Sequence, residues 1–403
     1  MMEISSHLRN ILRKKIVTVQ ILVFFFCGLS YLLLYSFFSR EMFSVFLNWQ
    51  DYDFHLRLLR ILEVQSGYIP FFDSTPVPYP VFFHNVVRIV SAVFGFPSEA
   101  SLFLVSCAAG FGAAFLIFLI VTEFSDRLAG FFGALLCGVG ANFVIFFFKT
   151  IFFGGAFIFP ASYMVAGFLP NLMGHFFGLS MVYVIIKGTL QKGTHILFCA
   201  FLGAMVILSH PFAAVAYLIA IFCLFFSSHI TDGNIKFRQL GIILILSIAL
   251  SSPWWLRIVP ELSGKSYLIL LSDAGKTWIR QDFLREIVEY YGFIPIFSVL
   301  GAFYLIRNFK TGIFLPFWAI SFFILLFTPW GARFALELAV PLYMLGAIGM
   351  SHTIRWALSE ENERLAVRLA SLTFVFTVFC DSIRIFDIIR NIFIQNPLRL
   401  VIW

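Results

Sequence analysis

Apolar residues fill long, nearly unbroken runs along this chain, and polar residues gather in the short stretches between them. Runs of about 17–25 apolar residues match a helix that crosses a hydrocarbon core. They fall near 16–38, 98–122, 129–148, 168–186, 194–209, 211–228, 239–256, 291–306, 312–330, 335–351 and 366–380. The pattern predicts an all-α polytopic membrane protein of about eleven transmembrane helices. Residues 1–403 are expected to form a single transmembrane domain with no separate soluble domain.

One further apolar stretch, 80–96, is placed flat on the membrane surface, because charge decides against a span. Arg9, Arg13, Lys14 and Lys15 precede the first run. Lys187 and Lys192, Lys236 and Arg238, Arg307 and Lys310, and then Arg355, Arg364 and Arg368 fall on that same side only if 80–96 does not cross. Short cytoplasmic loops carry the excess of Lys and Arg. The N-terminus is therefore expected in the cytoplasm of a multi-pass cell-membrane protein, with two long outer segments at about 39–97 and 257–290. The first run is too long and continuous for a cleaved signal peptide and is expected to be a retained helix.

Composition sharpens this picture. The chain is 61% hydrophobic and 12% charged, whereas soluble domains carry about 25% charged residues. Its 55 phenylalanines fill space without a polar group to satisfy. The net charge of +7 sits mostly in the short loops, so topology accounts for it and nucleic acid is not expected as a partner. Cys27, Cys107, Cys137, Cys199, Cys223 and Cys380 all lie in apolar runs without a CxxC pair. They are expected to act as small hydrophobes. Gly264-Lys265 and Gly275-Lys276 lack the spacing of a phosphate-binding loop.

Candidate chemistry gathers just beyond the first span, in Asp51-Tyr52-Asp53-Phe54-His55-Leu56-Arg57. Groups that are costly to dehydrate are rare beside apolar segments unless something uses or pairs them. On one continuous helix Asp51 and His55 would share a face and Asp53 would point away. A loop through Asp51, with a helix starting near Asp53, fits better. Asp53 then has a structural use as a helix cap or an i,i+4 partner of Arg57. Asp51 has none and is the candidate general base.

Pro76-Val77-Pro78-Tyr79-Pro80, followed by Phe82, Phe83 and His84, pins an extended turn. It is either a re-entry loop or the floor of a lipid-facing cavity. His84, His175 and His210 lie in or beside apolar segments, where histidine is either functional or a bundle residue with a satisfied hydrogen bond. No Asp or Glu occurs between Asp126 and Asp232. A divalent metal on the outer face is possible, but this spacing defines no site for it. Arg333, in Trp330-Gly331-Ala332-Arg333-Phe334, falls at the outer end of a span. It either forks onto a phosphate, snorkels, or pairs with Glu337 at i,i+4.

These elements resemble the GT-C superfamily of membrane glycosyltransferases. The stretch from Asp51 to Arg57 is similar to the opening motif of archaeal oligosaccharyltransferase catalytic subunits. Pro78-Tyr79-Pro80 resembles an element that precedes a juxtamembrane helix, and Ser252-Pro253-Trp254-Trp255 and Arg333-Phe334 before Pro341-Leu342-Tyr343 resemble recurrent late elements. The resemblance implies a long first extracytoplasmic loop carrying juxtamembrane helices. It implies a polyprenyl-phosphate-linked sugar as donor, with membrane lipids around it. Asp51 matches the catalytic aspartate and Arg333 a donor-phosphate contact. Asp53, His55, Arg57, Tyr79, His84 and His210 are the remaining candidates for substrate binding. The chain departs from oligosaccharyltransferases in lacking a second acidic motif between Asp126 and Asp232, and Leu256 follows Trp254-Trp255 where those enzymes have an aspartate. That departure points away from peptide glycosylation. The expected activity is glycosyl transfer on the extracytoplasmic face to a lipid, glycan or protein acceptor. A transporter or flippase, and a scaffold without catalysis, are the competing readings.

Overall fold

The computed structural model of the chain describes residues 55–56, 58–60, 62, 80, 82–139, 169–188, 193–230, 237–262, 291, 294–308, 311–328 and 331–358. The predicted spans at 16–38 and 366–380 lie outside the described residues. Every regular element among the described residues is helical: α1 (Phe82–Phe94), α2 (Ser98–Phe124), α3 (Arg127–Val139), α4 (Leu169–Ile186), α5 (Gly193–Ser209), α6 (Pro211–Ile230), α7 (Phe237–Leu262), α8 (Ile294–Asn308), a 3₁₀ turn (Thr311–Ile313), α9 (Phe314–Leu325) and α10 (Gly331–Leu358). Trp49–Ser351 forms one compact unit. A second, Met1–Asn48 with His352–Trp403, is described only through the last residues of α10.

The apolar runs predict most of these helices to within a few residues. Two run longer than expected. α7 extends beyond 256 to Leu262, so Ser252-Pro253-Trp254-Trp255 lies within the helix and not at its end. α10 begins at Gly331 rather than 335, which puts Arg333 in its first turn and Pro341 in its interior. Ala100–Phe124, Pro211–Ile230 and Phe237–Leu256 are long and apolar enough to cross a membrane, and five further helices are apolar but shorter. α1, at 13 residues, is about 20 Å long at 1.5 Å per residue, short of a hydrocarbon core of about 30 Å. It stops at Gly95, whose φ of 67° suits a residue without Cβ at a helix end. Pro97 then leads into α2.

The helices are apolar on both faces. In α6, Ala213, Ala216, Tyr217, Ala220, Ile221 and Leu224 are buried, while Val215, Leu218, Phe222 and Phe226 form an exposed stripe. A helix that is hydrophobic all round belongs in a lipid or protein interior. α2 packs on α3 and α4, α4 on α5 and α6, α5 on α7, and α6 on α9.

Side-chain contacts fix the helix directions. Lys187, just past α4, donates to Glu123 at the end of α2. Asp126 accepts the Ala129 backbone N–H at 2.8 Å and the Ser351 hydroxyl of α10 at 3.1 Å. The last turns of α2 and α4, and Ser351 of α10, thus mark one end of the bundle. Gly174 of α4 lies against Ala213, and Gly178 against the ring of Tyr217, so α4 and α6 run side by side in the same direction. The starts of α4, α6 and α10 therefore gather at the opposite end.

Close approach also joins α8 to α10. A Cβ on Gly349 would collide with the Phe297 carbonyl oxygen, which is backbone and cannot swing aside. Small residues permit this approach where lipid supplies no hydrophobic drive between helices. Gly349→Ala is expected to destabilise the protein by about 1–3 kcal/mol through overpacking. Gly241→Ala in α7, where nothing lies within 4 Å of the added Cβ, is expected to stay within about 0.5 kcal/mol. Thermal unfolding of the two variants in one detergent checks the contrast.

Candidate active site

Two polar groups lie in the half of the bundle where α4, α6 and α10 begin. The first joins the His55 segment to α1. His55 Nδ1 and His84 Nε2 are 3.0 Å apart, and the residues are 3% and 0% exposed. Phe83 closes edge-on over both rings. Phe82 packs on Phe177 of α4, which ties α1 to the bundle. One imidazole donates and the other accepts, so the contact requires at least one neutral ring.

Both histidines lie outside the predicted spans. Burial and the neighbouring His84 hold His55 well below the usual imidazole range, and burial pushes His84 down to about 3. The unfolded chain therefore binds more protons than the folded one between the ordinary imidazole value of 6.5 and about 3. Stability is full above the unfolded value and falls as the pH drops below it. The melting temperature is expected to be flat above about pH 7.5 and to decline below about pH 6. His84→Phe should flatten that decline; an unchanged slope would show that other groups carry it.

The second group lies inside the bundle. Glu337 of α10 is 1% exposed. Asn171 Nδ2 of α4 donates to its Oε1 at 2.9 Å, and His175 Nε2 lies 3.1 Å from its Oε2. His175 Nδ1 is 2.9 Å from the Tyr217 hydroxyl of α6, which is also 3.3 Å from the His175 carbonyl oxygen. Two proton arrangements satisfy these contacts. Tyr217 donates to Nδ1 of a neutral ring, or Nδ1 donates to Tyr217, which donates to the carbonyl. In both, Nε2 carries the proton that faces the carboxylate.

Local sequence places these groups. Asn171 and His175 are four apart and share a face of α4. The absence of Cβ at Gly178 lets the Tyr217 ring lie against that helix. Phe334, one turn before Glu337, packs on Phe212 of α6 and Phe322 of α9. His210, between α5 and α6, is within electrostatic reach of Glu337.

Among the sequence candidates, the structure brings His55 and His84 together and sets His210 near Glu337. The backbone of Arg333 lies one turn before Glu337 in α10, and its side chain lies outside the description, as do Asp51, Asp53, Arg57 and Tyr79. Among the described residues no three His, Cys, Asp or Glu side chains are grouped to hold a metal ion. Asn171 on α4 donates to Oε1 of Glu337, while Oε2 lies 3.1 Å from the His175 ring without a hydrogen-bond partner among the described residues; the Arg333–Glu337 pairing considered above lies outside the described residues.

Sequence reasoning named His175 and Glu337 separately and missed Asn171, Tyr217 and the grouping of the four. Its signal was present: Glu337 is the sole acidic residue between Glu289 and Glu360. An acid in an apolar segment marks a partnered site.

No family model and no curated protein sequence matches the chain. Solved structures do. The apo oligosaccharyltransferase of Archaeoglobus fulgidus superposes with a TM-score of 0.55 at 14% identity, over 91% of this chain and 55% of that one. The oligosaccharyltransferase AglB of the same archaeon, in complex with an inhibitory peptide and a dolichol-phosphate, gives 0.51 at 15%, over 82% and 51%. Apo ArnT from Cupriavidus metallidurans gives 0.50 at 12%, over 80% and 60%. The chain thus spans about half to three-fifths of the length of the structures it matches. The chain shares the fold of these structures.

Proposed function

We propose that the protein transfers a glycosyl group from a polyprenyl-phosphate-linked sugar to an acceptor at the outer face of the membrane. The observation that carries this reading is the fold likeness to AglB and ArnT over four-fifths or more of the chain. In AglB that fold accommodates a dolichol-phosphate. The clustering of buried polar side chains where α4, α6 and α10 start supports the same placement. In the topology read from the loop charges, that end faces outward.

In this reading Asp51, four residues upstream of His55 in the chain, takes the proton from the acceptor nucleophile or orients it. Arg333, in the first turn of α10, neutralises charge developing on the leaving phosphate. The His55–His84 pair fixes the helical segment that follows Asp51 against α1. Asp53, Arg57, Tyr79 and His210 complete the candidate binding residues. The polyprenyl tail would lie against the exposed apolar faces of the Phe-rich helices.

The test is direct. Purified protein is incubated with a panel of radiolabelled polyprenyl-phosphate sugars and a membrane extract as the source of acceptor. Transfer of label, or hydrolysis of one donor, supports the reading. No turnover and no donor binding across the panel overturns it.

A further inference from the structure

The buried carboxylate of Glu337 calls for a use that packing does not supply. An apolar side chain would fill its place in α10 without the need for three polar neighbours on two other helices. Asn171 donates a hydrogen bond to one oxygen and the His175 ring lies 3.1 Å from the other, and both stand on α4. Two fixed points on one partner helix set the rotation of α10 about its own axis and its register along α4. Tyr217 braces His175 from α6, so three helices are locked together at one level.

The place of the lock in α10 is what gives it meaning. Pro341 lies four residues beyond Glu337, so the Glu337 carbonyl has no backbone N–H at the i+4 position and the helix is weakened just past the lock. Arg333 lies four residues before it, one turn away on the same helix. The turn carrying Arg333 is thus held from below by Glu337 and from its side by Phe334 against Phe212 and Phe322. Hydrophobic packing of a phenylalanine tolerates small rotations, whereas a buried carboxylate held by one hydrogen bond and one close imidazole contact tolerates them less.

We infer that Glu337 is a positioning residue: with Asn171 and His175 it fixes the start of α10, so that Arg333 meets the donor phosphate in its reactive geometry. The inference rests on the proposed glycosyl transfer and on the role given there to Arg333. It assigns Glu337 no contact with substrate.

A double-mutant cycle tests it, with donor turnover and thermal unfolding measured on the same preparations. Glu337→Gln keeps the shape and the Asn171 contact and removes the charge. It is expected to lower kcat by about 10–100-fold with KM for the donor changed less than about threefold, the pattern of a contact made mainly in the transition state. In an Arg333→Ala background the same change is expected to lower turnover by less than about twofold further, because a residue that works through Arg333 has nothing left to position. Glu337→Asp is expected to recover part of the lost kcat. Additive losses in the cycle, or a loss of turnover that follows the melting temperature, overturn the positioning role while leaving the glycosyltransferase reading intact. Failure of the wild type to bind or turn over any polyprenyl-phosphate donor overturns both.

Discussion

Asp51→Asn is expected to lower glycosyl transfer by about 10²–10⁴-fold while donor binding stays within about twofold of the wild type. The amide has the size of the carboxylate and can still accept a hydrogen bond, but it cannot take a proton. Its loss should therefore fall on kcat and leave KM for the donor nearly unchanged. The group is expected to act on the acceptor, away from the phosphate. Asp53→Asn provides the comparison: a helix cap or a partner for Arg57 would cost about 1 kcal/mol of stability and little rate. Initial rates with one radiolabelled donor, together with donor binding, separate the two carboxylates. Full transfer by Asp51→Asn with the fold intact would remove Asp51 from the mechanism.

His175→Leu is expected to destabilise the protein by about 3–5 kcal/mol, because it leaves the buried Glu337 carboxylate without the imidazole beside its Oε2. The companion change decides the interpretation. His175→Leu with Glu337→Leu removes both members, and such replacements are often neutral or even stabilising. The double variant is expected to melt within a few degrees of the wild type and to turn over donor about 10–100-fold more slowly. Thermal unfolding in detergent checks the stabilities and the labelled-donor assay the activity. A double variant that is both stable and fully active would show that the pair serves neither the fold nor the reaction.

Much of the fold was legible because a membrane span has a simple physical signature. Long apolar runs must satisfy their backbone internally, so they become helices. That rule places α2, α4, α5 and α6 to within about two residues. It fails at the ends of α7 and α10, where helix continues through mixed sequence such as Gly331-Ala332-Arg333 and Arg257-Ile258-Val259-Pro260. Hydropathy reports where lipid stops, and backbone hydrogen bonding carries the helix further. Of the candidate site, His55 and His84 were each singled out, but nothing in a separation of 29 residues announces a 3.0 Å contact. For Glu337 the sequence offers only its helical neighbour Arg333, as one of three readings of that arginine, because i,i+4 is the one contact a sequence displays. Its partners on α4 are 162 and 166 residues away, and only tertiary structure brings them near.

The shared direction of α4, α6 and α10 has an electrostatic consequence. Each helix presents unpaired N–H groups and roughly half a positive charge at its start. The carbonyl end of α5 at Ser209 stands beside the start of α6 and offsets it, which leaves the starts of α4 and α10 to set the field around Glu337. Glu337, in the second turn of α10, lies where that field favours an anion, which helps a carboxylate persist inside an apolar bundle. The same field reaches beyond the helix starts to any phosphate approaching that side. A protein stripped of Arg333 would therefore retain a weak preference for anionic lipid heads there, written into the course of its backbone rather than into any one side chain.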